Sequence, residues 1–294
     1  MDERTFRRDP LRAIRAAQFA ARLEFAIAPE TMALCRTLDL DGLARERVMG
    51  ETEKALTRSR RPSRCFEALR EMGQLEPWLK EVAALIGVKQ RADCHPEGDA
   101  WTHTMLVVDE AAKLRDEAKN PTGLMLAALL HDVGKAVAMQ EKDGVIHAYG
   151  HETAGVPLAE EFLRRLTGEK ALCRYVLNMV ELHMKPNLYA AQNSGQKAWN
   201  RLFDRSACPE DLLLLAKADH RGRINAAPYA ETERTIRARL SAYEEMMARP
   251  HITGADLLAR GIQPGEEMGR LLEEAHRLRL AGVKKEDALR QMRL

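Results

Sequence analysis

Apolar residues recur at helical spacing along most of the chain. In residues 11–23 (LRAIRAAQFAARL) the large apolar side chains fall roughly along one stripe, and the arginines lie on the other side. Pro10 suits the first turn of a helix, and Asp9 before it is a candidate N-cap. The pattern therefore predicts an amphipathic helix near the start of the chain.

The same spacing predicts further helices over the rest of the chain. The predicted helices cover residues 11–23, 45–56, 65–72, 78–86, 102–117, 123–130, 154–165, 171–182 and 210–219, with another opening at Pro29. No run of alternating apolar and polar residues is long enough to predict a strand, and no fixed-period repeat is present. We therefore expect an all-α protein.

Two interruptions of this pattern indicate the domain organisation. Residues 89–101 (KQRADCHPEGDAW) read as a loop, and Pro250 begins a turn before a last helical stretch. The predicted division is a first helical domain at 1–88, a central helical domain at 89–248 and a helical tail at 249–294.

The composition of the 294-residue chain excludes several classes of protein. Hydrophobic residues make up 45%, charged residues 31% and aromatic residues 5%, which argues against disorder and low complexity. No window approaches an uncharged membrane span, and the charged start (MDER) has no apolar core behind it, unlike a secretory signal. The five cysteines are spread without a C-x-x-C pair, as in free thiols of a reducing compartment. We expect a cytoplasmic protein without a membrane partner.

Charge is unevenly distributed along the chain. The net charge is only +2, yet residues 1–64 carry 14 Lys and Arg against 10 Asp and Glu. A basic, proline-bearing segment spans residues 58–64 (RSRRPSR). The N-terminal part therefore suits either a nucleic-acid-binding surface or a solvated helical face.

The candidate chemistry lies in histidines and aspartates close to predicted helix ends. In chain order they read H…HD…H…H…D, and the members are His103, His131, Asp132, His151, His183 and Asp219. One histidine at a helix end is commonly a cap or a satisfied core residue, and Lys135 can be a C-terminal helix charge. The full set matters because imidazoles and carboxylates together hold divalent transition ions, and a carboxylate can bridge two ions. Such ions activate water and clamp phosphate, so the series predicts metal-dependent phosphoester chemistry.

The segments LLHDVGK and YGHETAG resemble the HD phosphohydrolase superfamily, and the likeness spans residues 103–219. The full H…HD…H…H…D order resembles the order found in superfamily members that hold two metal ions. The resemblance implies four core metal ligands, which are His103, His131, Asp132 and Asp219. It implies that His151 and His183 complete a second metal position or contact phosphate. The implied catalytic group is His131, Asp132 and Lys135.

The same resemblance implies basic groups near the substrate phosphate. Lys135 would lie there, and Arg221 and Arg223 could contact phosphate or belong to a solvated helix end. One or two divalent ions are expected. Four imidazoles with two carboxylates favour Mn, Fe, Ni, Co or Zn over Mg, although metal availability also decides.

The flanks resemble the bacterial tRNA nucleotidyltransferases, which are the CCA-adding enzymes and related poly(A) polymerases. The likeness is carried by FRRDPLRAIRAAQFAARL and RERVMGE, similar to neck motifs, and by ITGADLL and GIQPG, similar to the C-terminal region. On this resemblance, residues 1–88 are neck-like, 89–248 form the HD phosphohydrolase domain and 249–294 form the tail.

In that family, Asp9 and Arg12 would match the pair that reads the base of the incoming nucleotide, although Arg8 replaces a usual acid. The further RNA-binding residues implied are Arg15, Arg22, Arg60 and Arg61. The family's catalytic head would precede the neck, and this chain begins where that head should have ended. We therefore expect no nucleotidyl transfer from this chain alone, and a separate head chain is a possible partner.

Two functions follow as hypotheses. The first is a metal-dependent phosphodiesterase or phosphatase acting on nucleotide or RNA-end phosphoesters, such as 2′,3′-cyclic phosphates and 2′-nucleotides. The alternative is a tRNA-binding neck, body and tail whose head is absent or on another chain. A third reading joins them, with neck and tail positioning a tRNA 3′ end at the HD site. The sequence does not set the oligomeric state.

Overall fold

The structure is a computed structural model that describes residues 3–91, 96–142 and 145–293. Helices make up nearly all of its regular structure, so the predicted all-α class is confirmed. The helices are α1 (Glu3–Arg8), α2 (Leu11–Leu23), α3 (Pro29–Cys35), α4 (Arg45–Arg58), α5 (Ser63–Glu71), α6 (Glu76–Ala83), α7 (Ala100–Leu114), α8 (Pro121–Leu130), α9 (Lys135–Ala138), α10 (His151–Leu166), α11 (Lys170–Leu182), α12 (Lys185–Ala191), α13 (Gln196–Arg205), α14 (Pro209–Arg221), α15 (Ala230–Ala248), α16 (Gly254–Leu258), α17 (Glu266–Leu280) and α18 (Lys285–Gln291). A 3₁₀ turn (Arg115–Glu117) follows α7.

A short antiparallel hairpin interrupts the helices. Strand β1 (Gln140–Lys142) pairs with β2 (Val145–His147), with Gln140 opposite His147. The sequence pattern did not predict it, because three-residue strands are too short to show alternation. The class assignment is unaffected.

The start of α2 differs from the prediction in one respect. The helix covers the predicted residues, but Pro10 occupies the N-cap position and no side chain caps the first turn. The prediction of Asp9 as the N-cap was therefore wrong. Both oxygens of the Asp9 carboxylate instead accept hydrogen bonds from Arg47 Nη2, each at 3.0 Å, which ties the start of α2 to α4.

The internal contacts divide the chain into two compact units. Unit 1 comprises Met1–Pro186 and Glu210–Tyr229, and unit 2 comprises Asn187–Pro209 and Ala230–Leu294. The domain boundaries expected after residues 88 and 248 stay predictions. Among the described residues, no helix has the length and apolar character needed to cross a bilayer.

Helix α8 is the central element of unit 1. Every residue from Gly123 to Leu130 is buried, and the helix packs against α4, α7 and α11. A helix that is apolar on all sides is stable only inside a protein. Its carboxyl end therefore lies in the interior and delivers the His131-Asp132 pair there.

A buried carboxylate fixes α14 beside α8. Asp211 accepts hydrogen bonds from the backbone N–H groups of Lys119 and Asn120 at 2.8 and 2.9 Å, and from the Tyr175 hydroxyl at 2.6 Å. Asn120 in turn caps α8 through its side chain, which accepts from the Gly123 N–H. These bonds set the position of α14, which carries Asp219 two turns later.

Unit 2 contains two clusters of buried side chains. Trp199 and Phe203 stack on α13, with ring centroids 5.6 Å apart. The second cluster, near the end of the chain, is formed by Ile252, Leu257, Ala275 and Ala288. These clusters give unit 2 its own core.

Candidate metal centre

Six residues of the predicted series meet in the interior of unit 1. His103 lies in the first turn of α7, His131 and Asp132 follow α8, His151 begins α10, His183 follows α11, and Asp219 lies in the last turn of α14. All six are buried, and the most exposed of them retains only 6% of its surface. Five separate helices thus supply one polar cluster inside an otherwise apolar core.

Asp132 is the centre of this cluster. Its Oδ1 lies 3.1 Å from His151 Nε2 and 3.7 Å from His183 Nε2. Its Oδ2 lies 3.2 Å from His131 Nε2 and 3.7 Å from His103 Nε2. One carboxylate therefore stands between two pairs of imidazoles.

The geometry defines two groups that could each hold a divalent ion. The first is His103, His131 and Asp132, and the second is Asp132, His151 and His183. Within each group the ligand atoms lie within 4.8 Å of one another. Asp219 adjoins the first group, because its Oδ1 is 3.1 Å from His103 Nε2. Asp132 belongs to both groups, as a bridging carboxylate would.

Backbone carbonyls hold three of the imidazoles in one orientation. The Nδ1–H groups of His131, His151 and His183 donate to the carbonyls of Ala128, Ala148 and Val180, at 2.9, 2.8 and 2.7 Å. Each acceptor lies three residues before its histidine. This arrangement fixes the tautomer and leaves each Nε2 lone pair facing Asp132, as is usual for metal-ligating histidines.

The fourth imidazole is held by a carboxylate. His103 Nδ1 lies 2.8 Å from Oε1 of Glu97, whose side chain is fully buried. Glu97 Oε2 also accepts from the Ile224 N–H at 3.3 Å. A carboxylate behind a histidine raises the basicity of the ring and is a common second contact at metal sites.

Unsatisfied atoms support the assignment of a metal. His131 Nε2 is buried and has no hydrogen-bond partner in the part of the chain that the structure describes, and the neighbouring Asp132 Oδ2 is paired with Lys135 Nζ at 2.6 Å without hydrogen-bond geometry. Buried polar atoms are nearly always satisfied, since leaving one unpaired costs about 1–3 kcal/mol. A cation bound between these atoms would satisfy His131 Nε2 and would be balanced by the carboxylate of Asp132. The donor set of imidazoles and carboxylates fits a divalent transition ion.

The electrostatics keep both carboxylates ionised. Burial alone would raise the pKa of Asp132, but the neighbouring His131 and Lys135 hold that pKa well below its ordinary value. Burial likewise opposes ionisation of Asp219, and His103 and Arg223 hold its pKa well below the ordinary value. Burial lowers the pKa of His183. Burial also opposes the charged forms of His103 and His151, but the neighbouring carboxylates raise the pKa of both rings. A bound cation would take the place of the protons that these carboxylates favour.

Two basic side chains border the centre. Lys135 Nζ lies 2.6 Å from Asp132 Oδ2 and donates to Gln90 Oε1 at 2.5 Å. Arg223 Nη2 lies 3.5 Å from Asp219 Oδ2. Both side chains line a cavity of about 280 Å³ that Asp132 and His151 also line. We call it the metal-site cavity.

The rim of the metal-site cavity is apolar and aromatic. It includes Met139, Ile146, His147 and Tyr149, from the hairpin and the residues on either side of it. The rings of His147 and Tyr149 stack with centroids 4.8 Å apart and planes inclined by 15°. Tyr149 is 82% exposed, so one face of this stack is open to solvent.

Close backbone packing brings the two sequence motifs together. A Cβ at Gly134 would lie 2.0 Å from the His151 carbonyl oxygen and 2.5 Å from the Gly155 nitrogen. The segment after Asp132 therefore touches the first turn of α10 backbone to backbone. Glycine at 134 is required for this approach, which places His151 beside Asp132.

The remaining predicted residues lie elsewhere. Arg221 does not line the metal-site cavity and instead borders a second cavity with Arg60 and Arg61. Arg12 and Arg22 are exposed on α2. Arg15, also on α2, lies 3.8 Å from the Glu51 carboxylate and 5.9 Å above the Phe19 ring. Asp9 is paired with Arg47 as described above.

Sequence reasoning missed Glu97 and Gln90. Both lie in the segment predicted as a loop, residues 89–101, and neither residue type at those positions indicates contact with a metal-ligand set. The start of α7 did carry a sequence signal, because aspartate is a preferred N-cap residue. In the structure Asp99 is the N-cap of α7, and its side chain accepts from the Thr102 N–H. Residues 92–95 of this segment, which include one of the five cysteines and His95, lie outside the described residues.

Comparison with known families separates two parts of the chain. Residues 100–240 match the HD domain. Residues 24–86 match a family described as the probable RNA and SrmB-binding site of polymerase A. The first match contains the six clustered residues, and the second contains the basic segment at 58–64.

Curated relatives match along nearly the whole chain. The multifunctional CCA protein of Actinobacillus pleuropneumoniae is 35% identical over 95% of this chain and 68% of its own length. That of Burkholderia cenocepacia is 38% identical over 95% of this chain and 66% of its own length. The chain thus spans about two thirds of the length of these relatives.

Solved structures show the same fold. A CCA-adding enzyme in an apo form gives a TM-score of 0.60 at 14% identity, covering 99% of this chain and 60% of that one. The Thermotoga maritima CCA-adding enzyme in complex with tRNA gives 0.57 at 15% identity, covering 99% and 63%.

Proposed function

Because the chain belongs to the family of the multifunctional CCA proteins, we propose that its buried centre is the active site of a metal-dependent phosphohydrolase. The proposed substrates are phosphoesters of nucleotides or RNA ends, including 2′,3′-cyclic phosphates and 2′-nucleotides. One observation carries the proposal: Asp132 is shared by two ligand groups, and the Nε2 atom of His131, which belongs to the first group, is buried without a hydrogen-bond partner among the described residues.

The two ligand groups define what would hold the metal. His103, His131 and Asp132 would hold one ion, and Asp132, His151 and His183 would hold the other. A bound divalent ion supplies a water of lowered pKa, near 7, and offsets charge on phosphate oxygens.

The other polar groups act through their positions. Lys135 and Arg223 line the cavity beside the ligands, where they would bind phosphate oxygens and stabilise the charge that develops on them. Gln90 holds Lys135 at this wall through a hydrogen bond. Backbone carbonyls behind three of the imidazoles, and Glu97 behind the fourth, hold the ligand rings in place. The cavity has room for a small ligand or for the end of a larger one.

Hydrolysis of 2′,3′-cyclic AMP tests the proposal. The purified chain is assayed after loading with Mn, Ni, Co, Zn or Mg and again after chelation. Asp132→Ala is compared with Asp116→Ala, which alters a side chain that is 99% exposed. We expect turnover that needs metal and Asp132 but not Asp116. Absence of turnover with every metal would contradict the proposal.

A second candidate function is tRNA binding by the N-terminal helices. The match of residues 24–86 to an RNA-binding family favours it, together with exposed arginines such as Arg12 and Arg22. Phosphate contacts predict affinity for tRNA that falls steeply with salt. Salt-independent or undetectable binding of tRNA by the full chain would exclude this function. A separate nucleotidyltransferase chain as partner stays a prediction.

A further inference from the structure

A second cavity of unit 1 adjoins the metal-site cavity. Its volume is about 770 Å³, and Arg223 lines both cavities. The basic residues along it are Arg60, Arg61, Lys113, Arg221 and Arg223. We call it the arginine cleft.

The acids of the arginine cleft are largely engaged by neighbours. Asp109 accepts from the Ser63 N–H at 3.0 Å and the Ser63 hydroxyl at 2.8 Å, and its Oδ2 lies 3.4 Å from Arg61 Nε. Glu110 pairs with Lys113. Glu24 is the third acid in a cleft with five basic side chains. The cleft therefore keeps an excess of positive charge.

Two arginines of the cleft are free to bind a ligand. The guanidinium groups of Arg60 and Arg221 make no hydrogen bond or ion pair with any described part of the chain, and both side chains are exposed. Guanidinium groups bind phosphate through two parallel N–H donors. Uncommitted guanidiniums along a concave surface suit an extended polyanion.

Close packing fixes the arginine cleft relative to the metal centre. A Cβ at Gly222 would lie 2.5 Å from Val107 Cγ2 and 2.9 Å from the Val107 nitrogen. Val107 lies one turn after His103 on α7. Arg221 and Arg223 therefore flank a glycine pressed against the helix that carries a metal ligand. Arg223 reaches Asp219 on one side and lines the cleft on the other.

The walls of the cleft come from two separately matched parts of the chain. Arg60 and Arg61 lie between α4 and α5, within the residues that match the RNA-binding family. Arg221 and Arg223 lie at the end of α14, within the HD match. The cleft thus connects a part matched for RNA binding with the part that holds the metal ligands.

We propose that the arginine cleft binds the phosphodiester backbone of an RNA strand whose 3′-terminal phosphoester lies in the metal-site cavity. Arg60 and Arg221 bind backbone phosphates, and Arg223 lies where the strand passes from the cleft to the centre. This inference rests on the proposed hydrolase activity, because that activity would act on the terminal phosphoester. It makes an RNA end, instead of a free nucleotide, the preferred substrate.

Substrates of different length test the arginine cleft and the metal centre separately. The full chain is assayed on 2′,3′-cyclic AMP and on a short single-stranded RNA ending in a 2′,3′-cyclic phosphate. In Arg60→Gln and Arg221→Gln, kcat/KM for the oligonucleotide should fall about tenfold, the loss expected for one charge-assisted contact. The value for cyclic AMP should not change. Arg174→Gln, which alters an exposed arginine of α11 outside both cavities, should change neither value.

A binding measurement separates this inference from the hydrolase itself. Anisotropy of the labelled oligonucleotide is measured with metal-free full chain across a salt series. Each cleft variant should reduce the slope of log affinity against log salt by about 0.7, the value for one phosphate contact on a single strand. If neither substrate is hydrolysed but the slopes change as stated, the proposed hydrolase activity is wrong. The proposal that the cleft binds the RNA backbone is then supported on its own. Slopes equal to those of the unaltered chain, or equal losses of kcat/KM on both substrates, would overturn the proposal that the cleft binds RNA.

Discussion

Asp132 and Asp211 are both almost fully buried in unit 1, yet their charges are compensated in opposite ways. Asp211 accepts three hydrogen bonds, two from backbone N–H groups and one from the Tyr175 hydroxyl. Asp132 is paired with Lys135 through Oδ2, and imidazole nitrogens, not hydrogen-bonding N–H or O–H groups, surround both of its oxygens. Fixed hydrogen-bond donors satisfy Asp211, whereas groups that can also bind a metal surround Asp132.

This difference distinguishes a structural carboxylate from a ligand. A buried charge is tolerated when fixed donors satisfy it, and then it stabilises the arrangement that supplies them. Asp211 meets that condition and joins α14 to the start of α8. Asp132 meets it only in part, since Lys135 pairs with one of its oxygens and the imidazoles around both oxygens are groups that also bind metals. Substitutions at the two positions should therefore have opposite consequences.

Asp132→Asn should produce the largest loss of function. The amide keeps the shape of the side chain but cannot bridge two cations, so metal affinity should fall by more than about a hundredfold, beyond the range for an outer contact. The metal-free variant loses the ion pair with Lys135, so its urea midpoint should fall, but by less than that of Asp211→Ala. Calorimetric metal titration and urea unfolding check the two parts. Unchanged metal affinity would remove Asp132 from the ligand set.

Asp211→Ala should produce the largest loss of stability. It leaves two backbone N–H groups and the Tyr175 hydroxyl without their acceptor, which should lower the free energy of unfolding by about 3 kcal/mol or more. Urea unfolding measures this loss. The folded variant should bind metal within a few-fold of the unaltered chain. A large loss of metal affinity with normal stability would reverse the roles given to the two aspartates.

Glu97→Ala should weaken the centre without removing a ligand. Without the carboxylate behind it, the His103 ring loses its fixed orientation, and metal affinity should fall about 10–100-fold. Glu97→Gln is the matched control, because its amide oxygen can still accept from Nδ1–H. Calorimetry on both variants measures the difference. Equal losses in the two would show that the charge of Glu97, not its hydrogen bond, supports the site.

Gly134→Ala should disturb the packing that joins the two motifs. The added methyl group meets the backbone of α10, and overpacking of this kind costs about 1–3 kcal/mol. Gly50→Ala is the control, since a Cβ there meets nothing within 4 Å and the position lies inside α4. That change should stabilise the chain slightly. Urea unfolding of the two variants should therefore shift in opposite directions.

The smallest effect is expected for Asp256 of unit 2, whose carboxylate makes stability depend on pH. Hydrogen bonds from Lys285 and Thr253 lower its pKa below the ordinary value. Since the folded pKa lies below the unfolded one, its contribution to stability is present above about pH 4 and is lost as the pH falls further. Unfolding followed from pH 7 to pH 3 should show this loss. Asp256→Asn should reduce the pH dependence.

The sequence predicted the elements that repeat a simple pattern. Residues 11–23 show one apolar stripe and form α2, and the apolar run before His131 forms the buried helix α8. The ligand series was visible because histidine and aspartate types recur at helix ends. The hairpin of β1 and β2 was not predicted, because strands of three residues are too short to show an alternation of apolar and polar positions.

The contacts around the centre depend on tertiary packing and could not be predicted. Glu97 lies six residues before His103 in a loop, and only the folded chain places its carboxylate on Nδ1. Arg221 and Arg223 are two residues apart, yet only Arg223 lines the metal-site cavity. Gly222 between them packs against Val107 of α7, a contact that the sequence does not show. No local pattern encodes a close approach between distant segments.

Metal content is the most direct test of the centre. The full chain, Asp132→Asn and Asp211→Asn are incubated with divalent transition ions, freed of unbound metal by gel filtration and analysed by mass spectrometry. We expect one or two ions per chain in the unaltered protein and in Asp211→Asn, and none in Asp132→Asn. An unaltered chain that retains no ion, or an Asp132→Asn chain that retains as much, would contradict the assignment of a metal centre.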